Sequence, residues 1–399
     1  MHRSVELILI PLAEFINWLE KTMSNENMSK TISTLISQKT NFWLDHQPVR
    51  YVNKETKFDP NNFVRFDLGE WISTCSPKAK EVFQNLKASD LQEYPDPNAT
   101  ELKNAIADRF GISPEMITPS SGTDELIDTL PRLLLSEGDR AVIIRPTFFR
   151  FGEATSREGG GIIKVDTNLE NHFEFDESIA WQVIKQSHQP KTNIVWLCNP
   201  NNPTGQIISS ELIEWVITES KAFVIVDEVF SGLLDPTSTN KTLELAKTHQ
   251  NVLFLRSLSK VDGLSAIRIG WGIGHPKTIE LIEKWRLPFN TSTLAQKIAI
   301  AALQDTKHTA HVRNLITEER KFLEEQINQI PGLELITGSQ ANIFLLRHQQ
   351  KDLFQQLFQR GILVADFRQA DGLENMGFVR ITVQDRNKNL QLLSALQQL

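Results

Sequence analysis

Cysteine and tyrosine are nearly absent from this chain of 399 residues, which contains two of each. Cys75 and Cys198 form no Cys-x-x-Cys pair, so the sequence predicts neither a disulfide framework nor a cysteine-bound metal. We expect a cytoplasmic protein, because a chain without disulfides needs no oxidising compartment. His308 and His311 could share one helix face, but no carboxylate pattern accompanies them, and we expect no metal site.

Basic clusters and long apolar runs are also missing. The formal net charge is −7 and no block of lysine or arginine interrupts it, which argues against a nucleic-acid partner. An apolar run at residues 7–10 is far shorter than a membrane span, and a proline and two glutamates follow it. The pattern instead predicts an amphipathic helix over residues 12–22 and a polar linker over residues 23–40, without a membrane partner.

Short apolar strands alternate with helices from about residue 98 onward, which predicts an α/β fold. Helical patterns at 99–110 and 123–135 accompany strand-like runs at 141–144, 162–165, 193–197, 223–226 and 252–255. Such strands typically form a mostly parallel sheet that helices cover on both faces. After residue 290 the pattern changes to a long helix at 292–329, strands at 341–346, 362–364 and 378–383, and helices at 351–360 and at the C-terminus. We therefore predict an extension and linker over residues 1–63, a large domain over 64–290 and a small α+β domain over 291–399.

Three groups of polar residues follow successive strands of the predicted sheet. Residues 199–205, with the sequence Asn-Pro-Asn-Asn-Pro-Thr-Gly, follow the third strand, Asp227 ends the fourth and Lys260 follows the fifth. Ligands of such sheets bind beyond the carboxyl ends of the strands, so these residues are candidates for one site.

Lys260 lies in a segment that suits a cofactor carrying an aldehyde and a phosphate. Its amine can form a Schiff base with the aldehyde. The hydroxyls of Ser257 and Ser259 and the guanidinium of Arg268 can bind the phosphate. Pyridoxal phosphate is such a cofactor, although a lysine after Ser-Leu-Ser is also typical of a solvated loop.

Several residues admit both a structural and a functional interpretation. Asp227 either caps a helix or forms an ion pair with a protonated pyridine nitrogen, which keeps the ring an electron sink. Asn202 lies in a rigid turn and could direct its amide at the phenolic oxygen of the ring. Gly122 and Thr123 open a helix, either as a plain cap or as a phosphate site.

Two side chains in apolar surroundings complete the candidate site. Phe148 either stacks on the cofactor ring or belongs to the core. Arg380 lies within an apolar strand, where a buried arginine usually has an anionic partner. A substrate carboxylate that accepts two hydrogen bonds would serve as that partner.

These motifs, in this order, resemble the class I/II aminotransferases of fold type I, and the chain looks most like the histidinol-phosphate aminotransferase branch over about residues 64–399. The resemblance implies pyridoxal 5'-phosphate as cofactor, Lys260 as Schiff-base lysine and general base, and Asp227 on the pyridine nitrogen. The motifs that carry it are residues 94–97 (Tyr-Pro-Asp-Pro), 121–126 (Ser-Gly-Thr-Asp-Glu-Leu), 146–148 (Pro-Thr-Phe), 199–205, 226–228 (Val-Asp-Glu), 257–260 (Ser-Leu-Ser-Lys) with Arg268, and 380–383 (Arg-Ile-Thr-Val).

The resemblance also implies the substrate contacts and the assembly. Arg380 would bind the substrate carboxylate, with Asn202, Glu70 and Trp71 around the substrate. Tyr94 would reach the phosphate bound by the partner subunit, so a homodimer is expected. The implied cofactor contacts come from Tyr94, Gly122, Thr123, Asp124, Phe148, Asn202, Asp227, Phe230, Ser257, Ser259, Lys260 and Arg268.

The chain departs from the family at positions that bear on the substrate. Phe230 stands where the family usually has a tyrosine that hydrogen-bonds to the phenolic oxygen. Residues 69–72, Gly-Glu-Trp-Ile, replace the family's Asn-Glu-Asn-Pro loop. Ala365 and Asp366 occupy the place of the arginine that grips the substrate phosphate in the histidinol-phosphate branch, and Arg368 is out of register with that place.

We therefore predict an aminotransferase that moves an amino group to a 2-oxo acid, with a substrate other than histidinol phosphate. Glu70, Asp366, Asp371 and Glu374 would form an acidic rim that favours a basic amino acid, or would simply face solvent. A lyase, decarboxylase or cyclase that uses the same cofactor is the alternative, because the same electron sink stabilises those carbanions. An inactive cofactor-binding regulator is a third possibility, which an intact Lys260 argues against.

Overall fold

Two β-sheets and twelve α-helices form the part of the chain that this computed structural model describes, which is residues 62–399 apart from the side chains of residues 236–239. The helix predicted over residues 12–22 and the linker predicted over 23–40 lie outside the described residues. The strands are β1 (Val64–Phe66), β2 (Ile117–Ser120), β3 (Arg140–Arg145), β4 (Gly161–Asp166), β5 (Thr192–Cys198), β6 (Phe223–Asp227), β7 (Val252–Ser257), β8 (Gly270–Gly274), β9 (Leu333–Leu335), β10 (Ile343–His348), β11 (Ile362–Asp366) and β12 (Val379–Thr382). The helices are α1 (Pro77–Gln84), α2 (Thr100–Phe110), α3 (Thr123–Leu134), α4 (Arg150–Arg157), α5 (Glu177–Ser187), α6 (Ser210–Glu219), α7 (Pro236–Thr248), α8 (Pro276–Glu283), α9 (Thr293–Leu303), α10 (Thr306–Ile327), α11 (Leu353–Gln359) and α12 (Arg386–Gln397).

The larger sheet has seven strands in the order β2-β8-β7-β6-β5-β3-β4. Every neighbouring pair from β7 to β4 is parallel, whereas β8 runs antiparallel to both β7 and β2. The five strands predicted from the sequence correspond to β3 through β7, and the mostly parallel sheet is confirmed.

Both faces of this sheet are buried, which explains the continuous apolar runs in its strands. In β6, Val224 and Val226 belong to the apolar cluster that includes residues of α2, α5, α6 and α7. Ile225 points to the opposite face and packs with residues of α3, α4 and α8. The helices therefore cover the sheet on both sides, as the α/β prediction required.

Strands β2 and β8 were missed from the sequence, because neither contains a long apolar run. β8 has the sequence Gly-Trp-Gly-Ile-Gly, which is weak in strand propensity. Its first glycine permits a close approach, since a Cβ on Gly270 would lie 2.7 Å from the backbone nitrogen of Thr123. β8 therefore brings the start of α3 against the edge of the sheet.

The smaller sheet has five strands in the order β1-β11-β12-β10-β9, and only β1 and β11 are parallel. Residues 64–66, predicted to begin the large domain, pair with residues 362–364 and so belong to this second sheet. The predicted domain boundary at residue 290 stays a prediction. Within residues 62–399, no helix combines the length and the apolar composition of a membrane span.

The single long helix predicted over residues 292–329 is wrong, because the structure has two helices there, α9 and α10. Asp305 separates them: its Oδ1 accepts the backbone N–H of His308 at 3.4 Å, and its Oδ2 accepts the Ser76 hydroxyl at 2.7 Å. An aspartate in this position caps a new helix. The apolar periodicity continues across the break, which is why the sequence pattern did not reveal it.

Candidate active site

The carboxyl ends of three adjacent strands place the predicted polar residues at one edge of the large sheet. Cys198, which ends β5, is opposite Asp227 of β6, and Asp227 is opposite Leu255 of β7. The loop at 199–205, Asp227 and the loop that carries Lys260 therefore leave the sheet side by side. Among residues 62–399, no cluster of histidine, cysteine and carboxylate side chains could hold a metal ion.

Lys260 lies in surroundings that favour a neutral amine. Its Nζ donates to the carbonyl oxygen of Leu68 at 3.3 Å and lies 5.1 Å from the centroid of the Phe230 ring. Burial, followed by the positive charge of Arg380, lowers the pKa of this amine to about 8. The neutral amine is the form that attacks an aldehyde, so Lys260 is suited to hold such a cofactor covalently.

Gly69 keeps the space beside the Lys260 amine open. Its φ is +68°, and a Cβ there would lie 3.3 Å from Lys260 Nζ and 3.5 Å from Cζ of Phe230. Its N–H donates to the Thr382 hydroxyl at 2.9 Å, which fixes the segment to β12. The sequence reasoning missed this residue, although a glycine in place of the family's asparagine was a signal for it.

Asp227 is a buried carboxylate at the end of β6. It is 5% exposed, and its Oδ1 accepts the N–H of Val229 at 2.9 Å. Burial raises the pKa of this carboxyl to about 7, and Lys260 opposes the shift. No arginine or lysine within residues 62–399 forms an ion pair with it, so a protonated ring nitrogen would be a suitable partner.

Arg380 and Asn202 are bound to each other inside the site. Arg380 lies in β12, is 2% exposed, and donates from Nη1 to Asn202 Oδ1 at 2.8 Å. It also donates from Nη2 to the carbonyl oxygen of Asp67. Because the Asn202 oxygen accepts from Arg380, the amide nitrogen of Asn202 is the group left to donate to a ligand.

The start of α3 offers donors for a phosphate. Gly122 caps the helix with φ +70°, and the N–H groups of a first helical turn lack partners within the helix. Arg268 faces the same turn, since a Cβ on Gly122 would collide with its guanidinium. The Nη2 of Arg268 is 3.4 Å from Asp124 Oδ2. The Nε of Arg150 is 3.4 Å from Asp124 Oδ1, and the sequence analysis did not identify this arginine. The Asp124 side chain therefore orients arginines.

The serines of the Lys260 segment lie next to this helix start. Ser257 is paired with Gly270, which approaches the backbone of Thr123. The Ser257 hydroxyl accepts the N–H of Ser259 at 3.2 Å, which fixes the turn before Lys260. The structure thus brings together the phosphate donors that the sequence had spread over more than a hundred residues.

The two predicted aromatic contacts of the cofactor, Phe148 and Tyr94, have different surroundings. The Phe148 ring packs edge-on against the Phe149 and Phe151 rings, with centroids 5.2 and 5.6 Å away. Tyr94 is 82% exposed and its ring lies 4.8 Å from that of Phe289. Its contact with the cofactor of a second subunit stays a prediction.

Trp71 and Glu70 occupy different environments. Trp71 is 3% exposed and packs with Phe230 and Val261, so it supports the wall of the site from behind. Glu70 is half-buried and accepts the Ser265 hydroxyl at 2.9 Å. Its contact with a substrate stays a prediction.

The acidic rim predicted from the sequence is wrong for two of its carboxylates. Asp366 is paired with Arg368 at 2.7 Å, and Asp371 is paired with Arg145 at 2.6 Å and with Lys164 at 3.0 Å. Both carboxylates are paired with cations of the protein itself. Arg368 is two residues from Asp366, whereas Arg145 and Lys164 reach Asp371 from distant parts of the chain. Glu374 instead accepts the backbone N–H of Gly372 at 2.9 Å.

The assembled groups fit pyridoxal phosphate. The site offers an amine for the aldehyde, a buried carboxylate for the ring nitrogen, an amide for the phenolic oxygen, and a helix start with an arginine for the phosphate. The one expected donor that is missing is the hydroxyl at Phe230.

Known proteins are similar to this chain in sequence. The family model "Aminotransferase class I and II" matches residues 62–396. A histidinol-phosphate aminotransferase of Thermoanaerobacter sp. (strain X514) is 31% identical over 360 residues, which cover 90% of this chain and 95% of that protein. Histidinol-phosphate aminotransferase 1 of Bacillus cereus is 33% identical over 333 residues, which cover 82% and 85% of the two chains.

The fold is shared as well. The crystal structure of histidinol-phosphate aminotransferase from Sinorhizobium meliloti in complex with pyridoxal-5'-phosphate matches with a TM-score of 0.74 at 23% identity, over 84% of this chain and 90% of that chain. Because the family model spans most of the sequence, this chain belongs to the class I and II aminotransferases, which are enzymes of fold type I that use pyridoxal phosphate.

Proposed function

We propose that this enzyme moves the amino group of an α-amino acid to a 2-oxo acid and binds the substrate's α-carboxylate at Arg380. The observation that carries the proposal is the buried Arg380 guanidinium, oriented by Asn202 at 2.8 Å. An arginine fixed in this way offers a carboxylate two parallel hydrogen bonds. Its charge also lowers the pKa of Lys260, so binding of a carboxylate at Arg380 would raise the proton affinity of that amine.

Each residue of the site has a distinct role in this reaction. Pyridoxal phosphate, when bound, supplies the aldehyde and an electron-withdrawing ring. Lys260 holds the cofactor and, once released, carries a proton from the substrate's α-carbon, which suits an amine whose pKa is about 8. Asp227 would keep the ring nitrogen protonated. Asn202 orients Arg380 and would donate from its amide nitrogen to the phenolic oxygen.

The surroundings of Arg380 suit a carboxylate better than a phosphate. Ala365 is directly opposite Arg380 on the neighbouring strand and is fully buried. Asp366 follows it and accepts from Arg368 at 2.9 and 2.7 Å, so the charge of Arg368 is already compensated. The charge of Arg368 is therefore not available to a substrate phosphate, and the single charge of Arg380 matches that of a carboxylate.

Glu70 is the carboxylate of the predicted rim that could recognise a cationic substrate side chain. Its side chain accepts from the uncharged Ser265 and attracts the Lys260 amine, whereas Asp366 and Asp371 have arginine partners. A hydrogen bond between a half-buried carboxylate and a cationic group contributes about 1.5–3 kcal/mol. The proposed substrate is therefore a basic amino acid.

Two other activities are favoured by single observations. Histidinol phosphate is named in the relatives that are 31% and 33% identical to this chain. A lyase or decarboxylase on the same cofactor is favoured by Phe230, because the missing hydroxyl changes the hydrogen bonding of the ring.

The test is a comparison of substrates with the purified holoenzyme. Arginine, lysine, an aromatic amino acid, glutamate and histidinol phosphate are each supplied with 2-oxoglutarate, and the oxo product is quantified. A basic amino acid should give the highest kcat/KM. Efficient turnover of histidinol phosphate would refute the substrate proposal, and release of carbon dioxide without an oxo product would refute transamination.

A matched pair of variants tests Glu70 itself. Glu70→Gln should lower kcat/KM for the basic amino acid about 10-fold or more, which corresponds to about 1.4 kcal/mol, and should leave an uncharged substrate unaffected. Glu374→Gln is the control, since Glu374 is exposed and bonds only to its own loop. Equal effects of the two variants would contradict the role of Glu70.

The assembly is proposed to be a homodimer in the cytoplasm. Tyr94 contacts the ring of Phe289, and the segments that carry these two residues also expose apolar side chains at Leu91, Trp285 and Leu287. Exposed apolar side chains of this kind favour association. Sedimentation should give twice the chain mass of 45.4 kDa. Tyr94→Phe should weaken cofactor retention without dissociating the dimer; unchanged retention would refute the contact. Cell fractionation tests the location, which two free cysteines support.

A further inference from the structure

A second cavity lies behind the active site. Its volume is about 300 Å³, which is the lower end of the usual range for small-molecule sites. Its walls come from the end of α2, the turns after β6 and β7, strand β8, and the sides of α7 and α10. The loops that follow Asp227 and Lys260 thus face the active site on one side and this cavity on the other.

Among the described residues that line the cavity, the charged ones are three arginines and two carboxylates. Arg256 and Glu228 form an ion pair of 2.7 Å, and both are almost fully buried. Arg109 is 3.8 Å from Asp262, which also accepts the Thr309 hydroxyl at 2.7 Å. Each of the two carboxylates therefore forms an ion pair with one arginine, and neither pair includes the third arginine.

Arg313 is that third arginine. It lies on α10 and donates from Nε to the carbonyl oxygen of Gly232 at 3.0 Å. No carboxylate of residues 62–399 lies within ion-pair distance of its guanidinium. Burial and the like charge of Arg109 lower its pKa, and the attraction of Asp235 and Asp262 offsets this only in part. An anion bound near Arg313 and Arg109 would compensate the buried charge of Arg313 and reduce its repulsion by Arg109.

We propose that this cavity is a binding site for a small anion with several acceptor oxygens, such as a phosphate or a dicarboxylate, held by Arg313 and Arg109. The proposal does not depend on which amino acid the enzyme uses. Because Glu228 adjoins Asp227, and the cavity-lining Val261 and Asp262 follow Lys260 directly, an anion bound here would contact the reverse side of the catalytic loops. Such a site is suited to an effector.

The test is direct binding to a holoenzyme whose cofactor has been fixed to Lys260 by borohydride, so that the cofactor's phosphate fills its own site. Inorganic phosphate and succinate are titrated separately by calorimetry, which distinguishes the two ligand classes. The wild-type enzyme should bind at least one of them, and Arg313→Gln should weaken that binding about 10-fold or more. Absence of binding of both anions to the wild-type enzyme would refute the proposal.

A control variant separates a lost contact from a lost fold. Arg132→Gln is the matched control, because Arg132 lies on the outside of α3 with its side chain 61% exposed and does not line the cavity. It should bind like the wild type. Equal affinity of the wild-type and Arg313→Gln enzymes would place the anion elsewhere, including at Arg380, and would overturn the assignment.

Discussion

Replacing Asp227 with asparagine should stabilise the apoenzyme and disable the holoenzyme. In the apoenzyme, burial raises the pKa of the Asp227 carboxyl from 3.8 to about 7, because the ionised form lacks a compensating cation. Asparagine keeps the shape of the side chain and the oxygen that accepts the Val229 N–H at 2.9 Å. It removes only the charge.

The magnitude follows from the shift in pKa. About three pKa units correspond to roughly 4 kcal/mol, at about 1.4 kcal/mol per unit. Because the folded pKa lies above the unfolded value of 3.8, the carboxyl's contribution to stability is fully present below pH 3.8 and is lost as the pH rises to about 7. At pH 5 roughly 1.6 kcal/mol of it has been lost, and at pH 8 roughly 4 kcal/mol. The difference in the free energy of unfolding between the Asp227→Asn and wild-type apoenzymes should therefore increase by roughly 2–3 kcal/mol from pH 5 to pH 8.

The assay is urea unfolding of the apoenzyme at pH 5 and pH 8, with Asp108→Asn on the exposed side of α2 as the control. The difference in the free energy of unfolding between Asp108→Asn and the wild type should be the same at both pH values. In the holoenzyme, Asp227→Asn should lower kcat by roughly 10³-fold, because a preorganised charge is lost from the ring nitrogen. If the Asp227→Asn apoenzyme is no more stable than the wild type at pH 8, the charge of Asp227 is not buried without compensation. If the Asp227→Asn holoenzyme has a near wild-type kcat, Asp227 does not contact the ring nitrogen.

Three other substitutions have defined outcomes. Lys260→Ala should abolish turnover while some cofactor is retained by the phosphate contacts, and borohydride reduction followed by peptide mass mapping of the wild type should find the label on Lys260; a label elsewhere contradicts the assignment. Gly69→Ala should lower kcat, because its Cβ would lie 3.3 Å from Lys260 Nζ, whereas Gly377→Ala, at a similar φ of +78° with no neighbour within 4 Å, should cost only about 1 kcal/mol of stability. Equal kcat for the two glycine variants would mean that the space beside the amine is unimportant. Arg256→Gln should destabilise the protein by about 3–5 kcal/mol in urea, because it leaves Glu228 buried without its cation, and a smaller loss than about 1 kcal/mol would contradict that reasoning.

The sequence was sufficient for the features that depend on local pattern. β3 through β7 are buried on both faces, so their apolar runs are continuous and visible without a structure. Parallel strands also end at a common edge, which is why Asp227, Lys260 and the 199–205 loop could be assigned to one site before their distances were known. β8 and the break at Asp305 were missed, because glycine spacing and a helix cap carry little hydrophobic signal.

The tertiary structure alone decided which charges remain available. Asp366 and Asp371 looked like an acidic rim in the sequence, yet Arg368, Arg145 and Lys164 pair with them. Ion pairing depends on distance in space, and Lys164 is more than two hundred residues away from Asp371 along the chain. The same holds for Arg380: the sequence determined that a buried arginine needs a partner, and the packing of β12 against the 199–205 loop decided that its guanidinium is oriented by Asn202.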